Sequence, residues 1–317
     1  MKFKLLLVVP FFMGYEIILK NELQKKYDVI LINSDQFDNS VLDSFRKCNK
    51  VRLGIRVLFK SVWNSDREAT LEKFDNEIFR KIHYETDYFH VVLCINGSFI
   101  SNKIYEYLRK NNPNATFIYY AWDDMGNLFK DTHVKYFDKR YTYNINDCKK
   151  YRAQYLPMFV QSDKTGHDEK NYYDIMFIAS AHSDRKEIAY ELDRKYKNKY
   201  KLYIHLYDPS NSGDKFCSNR LIEYEDYLNI MRKSKAVLDV PHIKQKGPTT
   251  RAFDALLTKT KVITVNQHIK EYPVYSENIL VVDRNNMEID EDFINKPYVV
   301  TTYEPLTISQ WIDKIGL

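Results

Sequence analysis

At 317 residues the chain is long enough for two domains of about 100–200 residues each. A content of 44% hydrophobic and 29% charged residues excludes an intrinsically disordered chain. The net charge of +5 comes from interspersed charges of both signs, so it permits a nucleotide, a phospholipid surface or a nucleic acid as partner and selects none. Cys48, Cys94, Cys148 and Cys217 share no paired spacing, which argues against a disulfide framework or a zinc knuckle and for a reducing cytosol.

Short apolar runs stand before helical stretches, the signature of β-α units and a parallel sheet. Residues 5–9 read as the first strand. The run from Lys4 to Pro10 is too short for a signal peptide and has no cleavage site after it. A helix over 15–26 and a strand over 29–33 follow. Residues 89–95 form a near-continuous apolar strand, as expected where both faces are buried. A helix over 101–110, strands over 116–120 and 137–143, and a brief helix over 147–151 complete the first half. The polar stretch 161–170, with Gly166, reads as the linker, dividing the chain into domains 1–160 and 161–317. The pattern then restarts with strand 173–179, helix 184–197, strand 201–206, helix 224–233, strand 236–240, helix 249–257, strand 262–265, a last strand at 279–282 and a closing helix over 308–315. Two successive doubly wound, Rossmann-like halves are the simplest architecture.

Segment 46–60 breaks the pattern. It carries Arg46, Lys47, Lys50, Arg52, Arg56 and Lys60, no acid, and interleaved apolar residues. Such a segment either lies on an anionic membrane face or packs its apolar side on its own domain. The aromatic share, 15% with 26 tyrosines, suits stacking on sugars or bases, and equally an AT-rich genome. No G-x-G-x-x-G, Walker-type loop or G-x-S-x-G elbow occurs, and the eight histidines lack metal-ligand spacing.

Three clusters can carry chemistry. In the first, a strand ends near Val240, a loop holds Gln245 and Gly247, and Thr249 or Thr250 caps a helix whose first amides can bind phosphate. Arg251 in that first turn is unfavourable for the helix dipole, a cost that an anionic ligand would offset. Asp254, three residues on, can accept from a ribose diol or simply pair with Arg251 on the surface. In the second, Ser180, Ala181, His182, Ser183, Asp184 and Arg185 follow the restart strand. Ser183 or Asp184 can cap the next helix, and His182 and Arg185 either hold a diphosphate or are solvated charges of a turn. In the third, Asp123 and Asp124 follow a buried strand beside Trp122. Either can serve as a general base towards a sugar hydroxyl, or as a helix cap.

Together these clusters resemble a group of bacterial capsular-polysaccharide, exopolysaccharide and O-antigen glycosyltransferases. The likeness rests on Tyr120-Ala121-Trp122-Asp123, Tyr136-Phe137-Asp138-Lys139, Leu156-Pro157-Met158-Phe159, the Phe177 to Arg185 loop, the strand ending at Asp239, the Gln245 to Arg251 helix start and Asp283-Arg284-Asn285, in that order. The chain departs from the group at Asp254, where Glu is typical, at Pro248, where Leu is typical, and at Val265, within a usual Thr-Thr-Asn. The resemblance implies a GT-B architecture, two Rossmann-like domains facing across a cleft, with the last helix packing back on the N-terminal domain. It implies a nucleotide-sugar donor, expected to be a UDP-sugar, held by Ser180, His182, Ser183, Arg185, Gln245, Gly247, Thr249, Thr250, Arg251 and Asp254 without an obligate metal or other cofactor. Asp123 is the expected base towards a saccharide acceptor, lipid-linked, at the inner face of the plasma membrane. The rival readings are a non-catalytic nucleotide- or carbohydrate-binding protein of the same fold, and a nucleic-acid-binding module, for which no recognition motif speaks.

Overall fold

A computed structural model describes residues 2–11, 14–34, 72–73, 75–83, 88–97, 100–125, 133–162, 164–168, 171–210 and 213–317. The basic segment 46–60 lies outside the described residues.

The apolar runs become parallel strands. In the first half these are β1 (Phe3–Val9), β2 (Tyr27–Asn33), β3 (Val91–Ile95), β4 (Thr116–Ala121), β5 (Lys139–Thr142) and β6 (Gln154–Tyr155), with helices α1 (Tyr15–Leu23), α2 (Asn102–Asn111) and α3 (Ile145–Tyr151). They form one six-stranded sheet in the order β2-β1-β3-β4-β5-β6, every pair parallel. All five residues of β3 are buried, as a central strand covered on both faces requires. One core joins Leu6, Val92 and Phe117 of the sheet to Ile104 and Leu108 of α2.

The second half repeats the scheme with β8 (Tyr173–Ser180), α4 (Arg185–Tyr196), β9 (Leu202–Tyr207), β10 (Cys217–Ser218), α5 (Tyr224–Arg232), β11 (Ser234–Asp239), α6 (Thr250–Thr258), β12 (Lys261–Thr264), β13 (Ile279–Val281) and α7 (Glu291–Asn295). Its sheet runs β10-β9-β8-β11-β12-β13, again all parallel. Strands after β8 are laid to one side and strands from β11 onward to the other. The order therefore reverses between β8 and β11, the position at which open α/β sheets form a ligand crevice beyond the carboxyl ends. The first sheet reverses likewise between β1 and β3. Two Rossmann-like α/β halves are thus what the strand pattern builds.

Two details differ from the sequence expectation. The chain forms two units, one of Met1–Thr142, Asp147–Leu156 and Leu317, the other of Tyr143–Asn146 and Pro157–Gly316. The stretch 161–170, expected as a free linker, is in its described part tied to the second unit. The Gly166 amide donates to the Leu257 carbonyl at 3.0 Å, and the Asp168 amide to Arg232 at 3.1 Å. Two two-residue strands, β7 (Phe159–Val160) and β14 (Leu306–Thr307), pair in parallel, and neither is long enough to show a period in sequence. The closing helix α8 (Ile308–Ile315) packs on this pair within the second unit. The reason is Trp311, fully buried, with its ring 5.2 Å from that of Phe159. A reciprocal capping box between Thr307 and Gln310 fixes where the helix starts.

Truncating that anchor measures its weight. Trp311→Ala is expected to cost about 3–5 kcal/mol, the usual loss for emptying a buried indole site. It should lower the urea midpoint of the second unit; an unchanged midpoint would contradict the anchoring role.

Candidate functional site

The strand-order reversal in the second sheet places the ends of β8 and β11 side by side, and the residues there are polar for a reason that packing alone does not give. Strand β11 runs through the apolar Ala236, Val237 and Leu238 to its last residue, Asp239, which is fully buried. A buried carboxylate is costly unless its oxygens are filled. The Thr249 hydroxyl donates to Oδ1 at 2.7 Å and the Thr264 hydroxyl to Oδ2 at 2.9 Å. Arg251 Nη1 approaches Oδ1 at 3.5 Å. Asp239 thereby ties the end of β11 to β12 and to the start of α6.

Three guanidinium groups converge on the same strand ends. Arg185, from the first turn of α4, is buried; it donates through Nε to the Val240 carbonyl at 2.9 Å and through Nη1 to the Ser180 carbonyl at 3.2 Å. Arg251 donates through Nη2 to the Ile178 carbonyl at 2.6 Å, and its Nε is buried with no hydrogen-bond partner. Arg284 grips Asp184 with Nε and Nη2 at 2.6 and 2.7 Å, and also reaches the Pro241 carbonyl. Arg284 thereby holds the Asp184 carboxyl below the usual carboxylate range. Three guanidiniums face two carboxylates, so the cluster carries positive charge in excess.

His182 and His242 stand exposed over this cluster, with ring centroids 6.2 Å apart. Arg185 Nη1 lies 2.7 Å from His182 Nε2. Since a guanidinium only donates, Nε2 accepts, and the ring proton is assigned to Nδ1, facing the Ser183 hydroxyl at 3.1 Å. Burial, Arg185, His242 and Arg251 together lower the His182 pKa. Burial, with Arg251 beside it, lowers that of Arg185 to about 10, which leaves it charged at neutral pH. Beyond burial, the largest cause, both shifts carry a part that comes from crowding of positive charge, which an anion would relieve.

The structure brings Ser180, His182, Ser183, Arg185, Thr249 and Arg251 of the sequence-predicted set to these strand ends. Between Thr249 and Thr250 as cap, it selects Thr249, whose hydroxyl oxygen accepts the Arg251 amide at 3.3 Å. Neither Ser183 nor Asp184 caps α4 with its side chain. Ser183, at φ 54°, donates back to the His182 carbonyl, and Asp184 is turned to Arg284. The expected need for an external anion beside Arg251 is met in part from within, by Asp239.

Gln245 and Gly247 shape the loop between β11 and α6. The Gln245 amide donates to the His242 carbonyl at 2.8 Å. A Cβ at Gly247 would run into the Tyr143 ring, and Asn266 Nδ2 holds the Lys246 and Gly247 carbonyls at 3.0 and 3.2 Å. Gly247 is thus required by the close approach of Tyr143. Asp254 does not form a surface pair with Arg251. It is buried, and the Tyr224 hydroxyl donates to its Oδ1 at 2.5 Å. Burial pushes its pKa up to about 7. Asp239, His242 and Arg284 were not selected from sequence as site residues. The available signal for Asp239 was an acid ending an apolar strand.

In the first unit, β4 delivers Trp122, Asp123 and Asp124 to the carboxyl end of its sheet. Trp122 meets Tyr15, the first residue of α1, edge-on at 6.0 Å. Asp124 is buried, whereas Asp123 is open to solvent and accepts from Asn96 Nδ2 at 2.8 Å. Protein crowded around Asp123 raises its pKa above the ordinary carboxylate range; the Asn96 bond opposes this and Asp124 adds to it. The Met125 amide is taken by the Asp147 carboxylate at 2.7 Å.

Among the described residues no three His, Cys, Asp or Glu side chains converge as a metal site would need, and no helix is long and apolar enough to cross a membrane.

No family model and no curated protein matches the chain. Among solved structures it is similar to UDP-N-acetylglucosamine 2-epimerase from Rickettsia bellii, at 12% identity over 84% of this chain and 80% of that one, with a TM-score of 0.46. It is also similar to D-mandelate dehydrogenase from Rhodotorula graminis, at 10% identity over 98% of this chain and 91% of that one, with a TM-score of 0.25. Likenesses this distant leave the chemistry to be argued from the site.

The Asp254 environment predicts a pH dependence. Between about pH 4 and 7 the unfolded chain releases this proton while the native state keeps it. Native stability from this group therefore falls as pH rises through that window. Asp254→Asn lacks the effect, so the difference in Tm, wild type minus variant, should decline from pH 5 to pH 8. Parallel curves would contradict the assignment.

Proposed function

We propose that the chain is a glycosyltransferase that moves a sugar from a nucleotide-sugar donor to a saccharide acceptor. The observation that carries the reading is the excess of positive charge at the strand-order reversal of the second sheet. Arg185, Arg251 and Arg284 converge there, with His182 and His242 exposed above them. In open α/β sheets ligands bind in this position. Fixed cations aimed at a diphosphate stabilise the charge that develops as it leaves, the part a divalent metal plays in other transferases. The ordered motifs shared with capsular-polysaccharide, exopolysaccharide and O-antigen glycosyltransferases support the same reading and favour a UDP-sugar and a GT-B arrangement.

In the proposed reaction the acceptor hydroxyl oxygen bonds to the anomeric carbon as the bond from that carbon to the diphosphate oxygen breaks. The bonding pair leaves with the nucleoside diphosphate, and the hydroxyl proton passes to the Asp123 carboxylate. Its raised pKa makes that carboxylate a stronger base than an ordinary one. Ser180, Ser183, Gln245, Gly247, Thr249 and Thr250 would line the donor site. A ribose hydroxyl would reach Asp254 by replacing that of Tyr224. The acceptor in this reading is lipid-linked, with segment 46–60 bringing the enzyme to the inner membrane face.

The test combines binding and turnover. UDP should raise the Tm of the wild type, since a ligand of the native state stabilises it. Arg185→Ala and His182→Ala should lose most of that rise. Asp123→Asn should keep it while turnover of UDP-hexose, read as released UDP, falls roughly 10²–10⁴-fold. UDP binding with no turnover on any donor and acceptor would favour a non-catalytic binding protein. Wild-type rates in Asp123→Asn would sink the assignment of the base.

A further inference from the structure

Asn96 stands directly after β3 at φ 56°, a left-handed conformation that asparagine tolerates better than most side chains. It is 2% exposed, and each of its four polar groups is engaged by β4 or the turn that follows it. Its backbone amide donates to the Tyr120 carbonyl at 3.0 Å, and its backbone carbonyl accepts from the Tyr119 hydroxyl at 3.1 Å. Side-chain Oδ1 accepts the Trp122 amide at 3.0 Å, and Nδ2 donates to Asp123 Oδ2 at 2.8 Å.

The side-chain orientation is unambiguous. A backbone amide only donates, so the Trp122 N–H fixes which end of the Asn96 amide is oxygen, and the NH₂ must face Asp123. One residue therefore holds the peptide entering Trp122 and one of the two carboxylate oxygens of Asp123. Among the described residues no group donates to Asp123 Oδ1, which lies on a side chain open to solvent. A structural clamp for the β4 turn alone would need only the backbone bonds and the bond to Trp122. The bond to Asp123 adds control over a group with chemistry of its own.

We propose that Asn96 is a positioning residue for Asp123: it occupies Oδ2 and turns Oδ1 outward as the oxygen that accepts the proton. This rests on the glycosyltransferase reading for the identity of that proton, the one on the acceptor hydroxyl. The geometry itself does not depend on it. The other ionisable groups acting on Asp123 are Asp124, its neighbour, and the Tyr119 hydroxyl, already committed to the Asn96 carbonyl.

Two substitutions separate positioning from folding. Asn96→Asp is isosteric, tolerates the left-handed backbone and still accepts from Trp122, but sets a carboxylate oxygen against Asp123 Oδ2. Asn96→Gly keeps the backbone conformation and removes the amide. The readout independent of activity is the titration of the Asp123 side-chain carboxyl by carbon NMR, its signal identified by loss in Asp123→Asn. In Asn96→Asp the midpoint should rise by at least one pH unit, because two facing carboxylates share a proton. In Asn96→Gly it should also rise, because the hydrogen bond that favours the charged form is gone. In turnover assays the acid limb of the kcat profile should move with the NMR midpoint, kcat should fall about tenfold or more, and the KM for UDP-hexose should stay within twofold. An Asp123 midpoint unchanged in both folded variants overturns the proposal, whatever the activity. If the midpoint shifts as expected while Asp123→Asn keeps wild-type turnover, the positioning stands and the glycosyltransferase reading of the base fails instead.

Discussion

Placing a carboxylate at the end of a strand buried on both faces costs several kcal/mol unless its lone pairs are filled by donors. Asp239 meets that condition with Thr249 and Arg251 from the start of α6 and Thr264 from β12. Much of the second unit's geometry follows. Thr249 is held where its oxygen caps α6, Arg251 is drawn beneath the end of β8, and β12 is joined to β11 beyond its backbone ladder. The anchor also decides charge. With Asp239 and Asp184 each committed to another arginine, the charged Arg185 is met by carbonyl oxygens and by His182 Nε2.

The two units use the same topological device for different chemistry. In the second, polar residues at the strand ends are dominated by cations. In the first they are carboxylates on a turn clamped by one asparagine. A cationic crevice suits an anionic group that must depart, and a carboxylate of raised pKa suits a proton that must be removed. The group transfer proposed above, from a diphosphate to a hydroxyl, draws on both.

Most of the architecture was legible because long, doubly buried strands write near-continuous apolar runs. The runs ending in Val9, Ile95 and Asp239 are examples, and the twenty-two residues between Asp239 and Val262 leave room for one helix. What the sequence could not show were elements too short to carry a period, such as β7 and β14, and contacts that depend on who sits opposite. Asp254 reads as a surface partner of Arg251 by its three-residue spacing, yet the face it occupies is covered by Tyr224. Gly247 reads as a phosphate-loop glycine, and its neighbour proves to be Tyr143, about a hundred positions earlier in the chain. Asp239 and Arg284 escaped selection because their role lies in partners distant in sequence: Asp239 with Thr264, Arg284 with Asp184.

The claim on which the functional account depends is that the crevice between the ends of β8 and β11 receives a diphosphate. A crystal structure of the protein with UDP bound tests it most directly. The account predicts phosphate oxygens within hydrogen-bond distance of His182 and of the Arg185 or Arg251 guanidinium, at the starts of α4 and α6. UDP bound elsewhere on the molecule, with the arginines still on their strand-end carbonyls and His182 untouched, would contradict it.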